Sequence, residues 1–258
     1  PEEDPSLPKI YVITPTYGRP EMIPELTRLG QSLLLVPRLH WIIAEDSYNC
    51  TDIIIDLLNS LGSPYTYLLS PMPKGYREKK GAKPKGVSNR RAALDWIKEH
   101  GNDQDVLYFL DDDNTVNVKL FDEIRFTKRV SMFPVGFIGD YRVSSPIVKK
   151  DKSLDFMIVG MVQKIAVDMG GFAVNVGFLR EHVNATMPYM AGYEEDGFLK
   201  SLNISLNDIE PKAEICTKIL VWHTKTSKNK PTSVNISKHT DDNIIGLVKN
   251  MKKLTVIK

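Results

Sequence analysis

The chain has 258 residues, and its 34 basic and 32 acidic side chains leave a net charge of only +2 at pH 7. This balance excludes a general electrostatic attraction to nucleic acid or to anionic membranes. Hydrophobic residues make up 42% of the chain, as in an ordinary globular protein, and no apolar run reaches the roughly 20 residues that cross a bilayer. The chain begins with Pro1 rather than Met, so we expect a trimmed piece that an anchor or signal segment preceded.

Short apolar runs alternate with amphipathic runs along the first 110 residues. We predict strands at the apolar runs, over Lys9–Thr14, Leu39–Asp46, Tyr65–Ser70 and Val106–Leu110. We predict helices at the amphipathic runs EMIPELTRLGQSLLLV, TDIIIDLLNSL and VSNRRAALDWIKEH, with Ser88 as the N-cap of the third. This alternation indicates an α/β fold with a mostly parallel sheet.

The pattern after Asn114 is mixed. PVGFIGDYRV and LDFMIVGMVQ predict strands of antiparallel type, and TKILVWHTKT predicts a final strand. The glycines of VDMGGFAVNV suggest a close approach of backbone, and YEEDGFLKSLN predicts a short helix. No repeat or linker divides the chain, so we predict one globular unit with two halves.

Three consecutive aspartates, Asp111–Asp113, directly follow the fourth predicted strand. Crowded carboxylates repel one another and lose hydration, so another interaction must offset that cost. Ligands of α/β sheets bind outside the carboxyl ends of the strands, where PTYGRP, EDS and DDDN would meet. The pattern favours a divalent cation held by carboxylate oxygens and bridging to a phosphate. The alternative is a solvated acidic turn that caps the next helix.

Four other stretches are candidates for function, and each also has a purely structural explanation. We call the Lys- and Arg-rich stretch 73–86 the basic loop. It either closes over a diphosphate or is simply solvated. Arg90 follows it and is a candidate for the same anion. Tyr17 stacks on a base or packs in the core. His223 contacts phosphate or metal, or is structural. Among Glu194–Asp196, one acid faces a cleft, or all three complement a helix dipole.

Cysteines and sequons bear on the compartment. Cys50 and Cys216 are too few for a zinc or redox motif, and their pairing stays open. Asn-x-Ser/Thr sequons, which are candidate glycosylation sites, begin at Asn49, Asn184, Asn203 and Asn235. Their number favours a secretory lumen, and accidental sequons in a cytosolic protein are the alternative.

Several ordered motifs between about Lys9 and Thr226 resemble the animal β-1,3-glucuronosyltransferases: PTYGRP, LVPRLHWIIAED, ALDWI, VLYFLDDDNT, VDMGGFAVN and DIEPKAEICTKILVWHTKT. The resemblance implies a GT-A-type, Rossmann-like fold, with a nucleotide-binding half over 1–115 and an acceptor-binding half over 116–258. It implies Mn²⁺-dependent, inverting transfer from UDP-glucuronate to a terminal β-galactose of a proteoglycan-linkage or lactosamine glycan. It also implies a homodimer in the Golgi lumen, held as a type II membrane protein.

The same resemblance assigns roles by position. Glu195 is implied as the general base and Asp113 as the metal ligand. Tyr17 would stack on uracil, Asp46 would bind its edge and Asp112 would hold the ribose. The full implied set for nucleotide and donor sugar is Pro15, Tyr17, Asp46, Lys85, Arg90, Asp111, Asp112, Asp168, His223 and Lys225.

The chain differs from the family pattern at four positions that bear on the donor and the acceptor. Lys85 and Lys225 stand where the family has arginines, and a lysine lacks the bidentate fork. Ser144 and Gln163 stand near acceptor-contacting positions, so the acceptor stays open. The rivals are transfer from another UDP-sugar such as UDP-xylose, a glycan-binding relative without turnover, and a nucleotidyltransferase.

Overall fold

We describe the fold from a computed structural model of the chain, which covers residues 4–138, 142–149, 154–156, 167–227 and 243–247, the last of these helical. The strands in chain order are β1 (Ile10–Thr16), β2 (Leu39–Glu45), β3 (Tyr65–Leu69), β4 (Val106–Phe109), β5 (Thr115–Val116), β6 (Val130–Met132), β7 (Val135–Gly136), β8 (Val143–Ser144), β9 (Pro146–Val148), β10 (Leu154–Phe156), β11 (Phe172–Asn175), β12 (Ile209–Pro211) and β13 (Val221–Trp222).

Helices connect many of these strands. They are α1 (Met22–Leu33), α2 (Asp52–Leu61), α3 (Lys74–Arg77), α4 (Val87–His100), α5 (Lys119–Ile124), α6 (Val176–Glu181), α7 (Glu194–Ser201) and a single helical turn, α8 (Ala213–Cys216). Short 3₁₀ turns occupy Met169–Gly171 and Leu206–Asp208. Over the ranges given above, no helix combines the length and the apolar character that a membrane span requires.

The central sheet has seven strands in the order β12–β6–β11–β4–β1–β2–β3. Strand β1 pairs in parallel with β2 and β4, β2 with β3, and β6 with β12. Strand β11 is antiparallel to both of its neighbours, β4 and β6. Within the described part of this sheet, β11 is therefore the one reversed strand. The predicted α/β fold with a mostly parallel sheet is confirmed.

Strand β1 shows why the sequence forms this sheet. Ile10 and Val12 point into one hydrophobic core, and Tyr11 and Ile13 point into the other, each at most 1% exposed. A strand covered by helices on both faces needs a continuous apolar run rather than an alternating one. The sheet draws β1–β4 from the first predicted half and β6, β11 and β12 from the second.

The smaller sheets come from the second half. Strands β5, β13, β7 and β8 form one sheet, and β9 and β10 form another. The antiparallel pairs β7–β8 and β9–β10 agree with the antiparallel strands predicted for PVGFIGDYRV and LDFMIVGMVQ. Residues 157–163 of the second motif lie outside the described part of the chain. The final strand is shorter than TKILVWHTKT suggests, since β13 spans two residues.

The start of helix α4 differs from the prediction. Its N-cap is Gly86, whose φ of +72° belongs to the left-handed region that favours glycine. The prediction of Ser88 as N-cap is wrong, because Ser88 lies inside the helix with its Oγ 3.0 Å from the Tyr189 hydroxyl. Gly86 therefore turns the basic loop directly into the helix that carries Arg90.

Turn α8 is wound in the left-handed sense. Its four residues, Ala213–Cys216, all have φ between +52° and +59°, and none is glycine. A left-handed conformation costs roughly 1–2 kcal/mol for each ordinary L-residue and most for a β-branched one. We therefore expect Ile215→Gly to raise the free energy of unfolding by about 1 kcal/mol, as measured by urea titration.

Ile215 is 52% exposed, so its replacement by glycine removes little packing. Val183 is 74% exposed and is not among the residues with positive φ, so Val183→Gly serves as the matched control. The control should lower stability, because glycine there adds only unfolded-state entropy. Equal losses in the two variants would contradict the prediction.

Candidate active site

A cleft of about 330 Å³ opens at the carboxyl ends of β1, β2 and β4. Its lining includes residues singled out from the sequence: Pro15, Tyr17, Asp46, Lys85, Arg90 and Asp111–Asp113. It also includes residues that the sequence reading did not assign: Thr16, Arg19, Met72, Arg77, Lys83, Gly86 and Asn89. The cleft thus lies where the carboxyl-end rule for α/β sheets places ligands.

Two of the three aspartates are neutralised by arginines. Arg19 Nη2 lies 2.6 Å from Asp112 Oδ1, and Thr16 Oγ1 donates to Asp112 Oδ2 at 2.7 Å. Asp112 is only 5% exposed, and these contacts offset part of its lost hydration, although burial still raises its pKa. Arg90 forms an ion pair with Asp111. The crowding of charges is therefore relieved at Asp111 and Asp112 by groups within the chain.

In the described part of the chain, Asp113 has no ion-pair partner, and the charge of Arg19 offsets only part of its negative surroundings. Its backbone carbonyl accepts from Arg28 and from the Thr224 hydroxyl, but its carboxylate has no hydrogen-bond donor among the described residues. Burial, followed by the negative charges of Asp112 and Asp111, raises the pKa of Asp113 to about 6. A carboxylate held in a negative, partly desolvated setting is stabilised by a bound cation.

The chain provides few further metal ligands. Among the described residues, no group of three or more His, Cys, Asp or Glu side chains is arranged to hold a metal ion. A metal at Asp113 would therefore take most of its oxygen ligands from water or from a bound substrate. Mg²⁺ and similar ions bind in this way to phosphate substrates, with one or two carboxylates from the protein.

An aromatic ring follows the end of β1 in this cleft, and a paired acid follows the end of β2. Tyr17 is 45% exposed, and the Arg19 guanidinium lies 4.7 Å from its ring centre. The Met72 backbone N–H donates to Asp46 Oδ1 at 2.7 Å, and Arg77 forms an ion pair with the same carboxylate. Arg77 belongs to the basic loop, so this loop is attached to the cleft.

The reversed strand brings a second group of residues to the same edge. Because β11 runs against its neighbours, its beginning lies at the edge where the other strands end. Asp168 stands just before β11 and accepts from the Gly170 N–H at 2.9 Å. A Cβ at Gly171 would lie 2.9 Å from Val167, in agreement with the close approach suggested by VDMGGFAVNV.

His223 pairs with Asp168 at this edge. His223 Nδ1 lies 3.3 Å from Asp168 Oδ2, and this carboxylate raises the pKa of His223. The next residue, Thr224, donates to the carbonyl of Asp113. This bond fixes the loop after β13 against Asp111–Asp113, which we call the acidic rim. Lys225 follows and is exposed.

Glu195 lies in the first turn of α7 and is half-buried. Burial is the main cause that raises its pKa, the negative charge of Asp168 adds to the effect, and the positive charge of Arg90 opposes it. Asp196 points elsewhere and pairs with Lys200 Nζ at 2.8 Å. Glu195 therefore shares an electrostatic environment with Asp168 and Arg90, and a raised pKa suits a general base.

The remaining sequence candidates lie on the surface. Asn49, Asn184 and Asn203 are exposed, and Asn235 lies outside the described residues. Cys50 and Cys216 are both free thiols. Among the residues that the sequence reading did not assign, Arg19 was signalled by its place in PTYGRP, directly after a strand end. Arg77 and Lys83 were signalled only as part of the basic loop.

Known structures with a similar fold define the class of protein. TarS of S. aureus, solved as residues 1–349 in complex with UDP, superposes with a TM-score of 0.56 at 16% identity, covering 84% of this chain and 61% of that one. The same protein in complex with UDP-GlcNAc gives a TM-score of 0.52 at 14% identity, covering 97% and 68%. The fold is that of the GT-A glycosyltransferases.

Sequence comparison gives the family. The profile of glycosyltransferase family 43 matches residues 29–227. Galactosylgalactosylxylosylprotein 3-beta-glucuronosyltransferase S of Drosophila melanogaster is 50% identical over 97% of this chain and 62% of its own length. The human enzyme numbered 1 of the same name is 41% identical over 90% of this chain and 73% of its own length. The chain belongs to glycosyltransferase family 43.

The chain is shorter than these relatives. It spans 62% of the S enzyme and 50% of the P enzyme of Drosophila melanogaster, the latter at 46% identity over 92% of this chain. The similarity thus covers nearly all of the chain but only part of those proteins.

Proposed function

We propose that this protein transfers glucuronate from UDP-glucuronate to a terminal β-galactose of a glycan acceptor, forming a β-1,3 linkage with inversion. The names of the family-43 relatives support the reaction, and the galactosyl-galactosyl-xylosyl acceptor in those names supports a glycan of the proteoglycan linkage type. The observation that carries the proposal is one shared edge that holds the acidic rim, the Asp168–His223 pair and the half-buried Glu195.

The donor would occupy the cleft, with its nucleotide between the ends of β1 and β2. Tyr17 would stack on uracil, Asp46 would bind the edge of the base, and Asp112 would hold the ribose. Pro15 would touch the nucleotide. Arg90, Lys85, His223 and Lys225 are cationic or carry a raised pKa, which suits the diphosphate and the glucuronate carboxylate.

Mn²⁺ fits this site as the metal held by Asp113, because the carboxylate lacks any donor among the described residues and its pKa is raised by neighbouring negative charge. When bound, the ion would supply positive charge for the departing diphosphate. The basic side chains around the cleft would stabilise the same developing charge.

Glu195 would remove the proton from the acceptor hydroxyl. The hydroxyl oxygen would then bond to the anomeric carbon while the bond to UDP breaks and UDP leaves with the electron pair. One displacement from the face opposite UDP inverts the centre and needs no covalent enzyme intermediate. Asp168, which pairs with His223 and whose charge acts on Glu195, would contact the donor sugar. The Golgi lumen and a homodimer remain predictions that accompany this function.

The test is transfer of radiolabelled sugar from UDP-glucuronate, and separately from UDP-xylose, to a panel of galactosides with and without Mn²⁺. We expect product only from UDP-glucuronate, only on terminal β-galactosides, and only with the metal. Transfer from UDP-xylose alone would contradict the proposed donor and identify UDP-xylose instead. Binding of galactosides without any transfer would contradict the proposed activity and identify a glycan-binding protein.

A further inference from the structure

The basic loop, residues 73–86, has little to hold it in place. Its helix α3 has four residues, none of them buried, and so short a helix is not stable by itself. Its position therefore depends on Pro84, the one buried residue of the loop, and on a few side-chain contacts. One is the ion pair of Arg77 with Asp46 at the edge of the cleft. The hydrogen bond from Lys83 Nζ to the Arg77 carbonyl lies within the loop and holds Lys83 close to α3.

The second contact from the loop to the rest of the chain crosses to the other half of the molecule. The rings of Tyr76 and Tyr189 stack with centroids 4.5 Å apart and planes inclined by 13°. Tyr189 stands between α6 and α7, 113 positions further along the chain. Arg77 thus holds α3 to β2, and Tyr76 holds it to the segment that leads to Glu195.

Tyr189 is itself fixed to the helices that carry the site. Its hydroxyl lies 3.0 Å from Ser88 Oγ, and the Arg91 guanidinium lies 4.9 Å from its ring centre, so α4 holds it on one side. Its neighbour Pro188 packs so closely on α7 that a side chain at Gly197 would clash with the proline ring. Tyr189 therefore connects the basic loop, the helix of Arg90 and the helix of Glu195.

We propose that Tyr76 and Tyr189 are positioning residues that set the basic loop over the donor diphosphate and couple its position to Glu195. The inference rests on the proposed function. The stack keeps Lys83 and Lys85 at the lining of the cleft, where their charge meets the nucleotide. Without the stack, the loop samples open positions, and part of the binding free energy is spent on closing it.

The test compares Tyr76→Ala, Tyr76→Phe and Tyr189→Leu with the unaltered protein. Calorimetry with UDP and Mn²⁺ gives Kd, transfer assays give donor KM and kcat, and thermal unfolding gives Tm. We expect Tyr76→Ala to raise the UDP Kd and donor KM about 3- to 10-fold, the range that the free energy of an aromatic pair corresponds to, with kcat changed less than twofold and Tm nearly constant. Tyr76→Phe keeps the ring and should restore both values.

Tyr189→Leu should raise donor KM similarly and should also lower kcat, because it loosens the segment packed against the helix of Glu195. Tyr65→Ala, a half-buried tyrosine on β3 away from the cleft, is the matched control and should leave Kd unchanged. A UDP Kd within twofold of normal in Tyr76→Ala would overturn this inference alone. An unaltered protein that binds no UDP and transfers no sugar would overturn the proposed function, and this inference with it.

Discussion

Replacing Glu195 with Gln should lower the rate of transfer at saturating substrates by about 10²–10⁴-fold, the range for loss of a general base. Gln keeps the size and the hydrogen-bonding capacity of the side chain but cannot accept the proton. Since Glu195 lies outside the set of residues that line the cleft, UDP binding measured by calorimetry should stay within a few-fold of normal. A variant that retains full activity would remove Glu195 from the mechanism.

Two further measurements sharpen this result. Glu194→Gln, one residue earlier in α7, is the matched control and should keep activity within a few-fold. Burial and Asp168 raise the pKa of Glu195 above its ordinary value of 4.5. A base works only when deprotonated, so the rate of the unaltered enzyme should rise with pH through that raised pKa.

Replacing Asp113 with Asn should abolish joint binding of Mn²⁺ and UDP. The loss in metal affinity should exceed the roughly 10- to 100-fold loss that follows removal of a residue that contacts only the ligands of a metal. Asn keeps one oxygen but has no charge. Calorimetric titration of Mn²⁺ in the presence of UDP measures this without turnover. Asp56→Asn, at an exposed position on α2, is the control and should bind both normally. Unchanged Mn²⁺ uptake by Asp113→Asn would contradict the assignment of the metal ligand.

The same substitution should stabilise the protein without metal. The pKa of Asp113 is raised from an ordinary 3.8 to about 6, so the folded state binds the proton more tightly than the unfolded state does. The stability of the unaltered protein should therefore fall as pH rises from about 4 to 6 through this group, and the deficit should persist above it. Asp113→Asn lacks the deficit. The full pKa shift corresponds to about 3 kcal/mol, and solvent screening of a partly exposed carboxylate reduces it, so we expect about 1–2 kcal/mol more stability at pH 7.

The strand ends and the acidic rim were predictable because they depend on local pattern. A continuous apolar run such as Val106–Leu110 signals a strand buried on both faces, and the residues after several such strands must meet at one edge. The side chains that pair with these aspartates could not be predicted from the sequence. Arg19 and Asp112 are 93 positions apart, and only the folded chain shows that the arginine neutralises that aspartate rather than Asp113.

Two local features were also beyond the sequence reading. Ser88 matches the rule for helix caps, but the left-handed backbone at Gly86 moves the start of the helix and leaves the serine hydroxyl for Tyr189. The basic loop was evident from its charge, whereas α3 was not, because four residues are too short to show a period. The Tyr76–Tyr189 stack depends on tertiary contact alone.

The reversed strand β11 has a consequence for how relatives of this protein diverge. On the proposed function, the nucleotide would contact residues that follow the ends of β1, β2 and β4, whereas Asp168 precedes β11 and Glu195 lies in α7. Insertions or exchanges in the segments ahead of β11 and α7 leave those three strand ends untouched. On the proposed function, relatives that differ in these connecting segments would differ on the sugar-binding side of the site, while the strand ends that face the nucleotide stay the same.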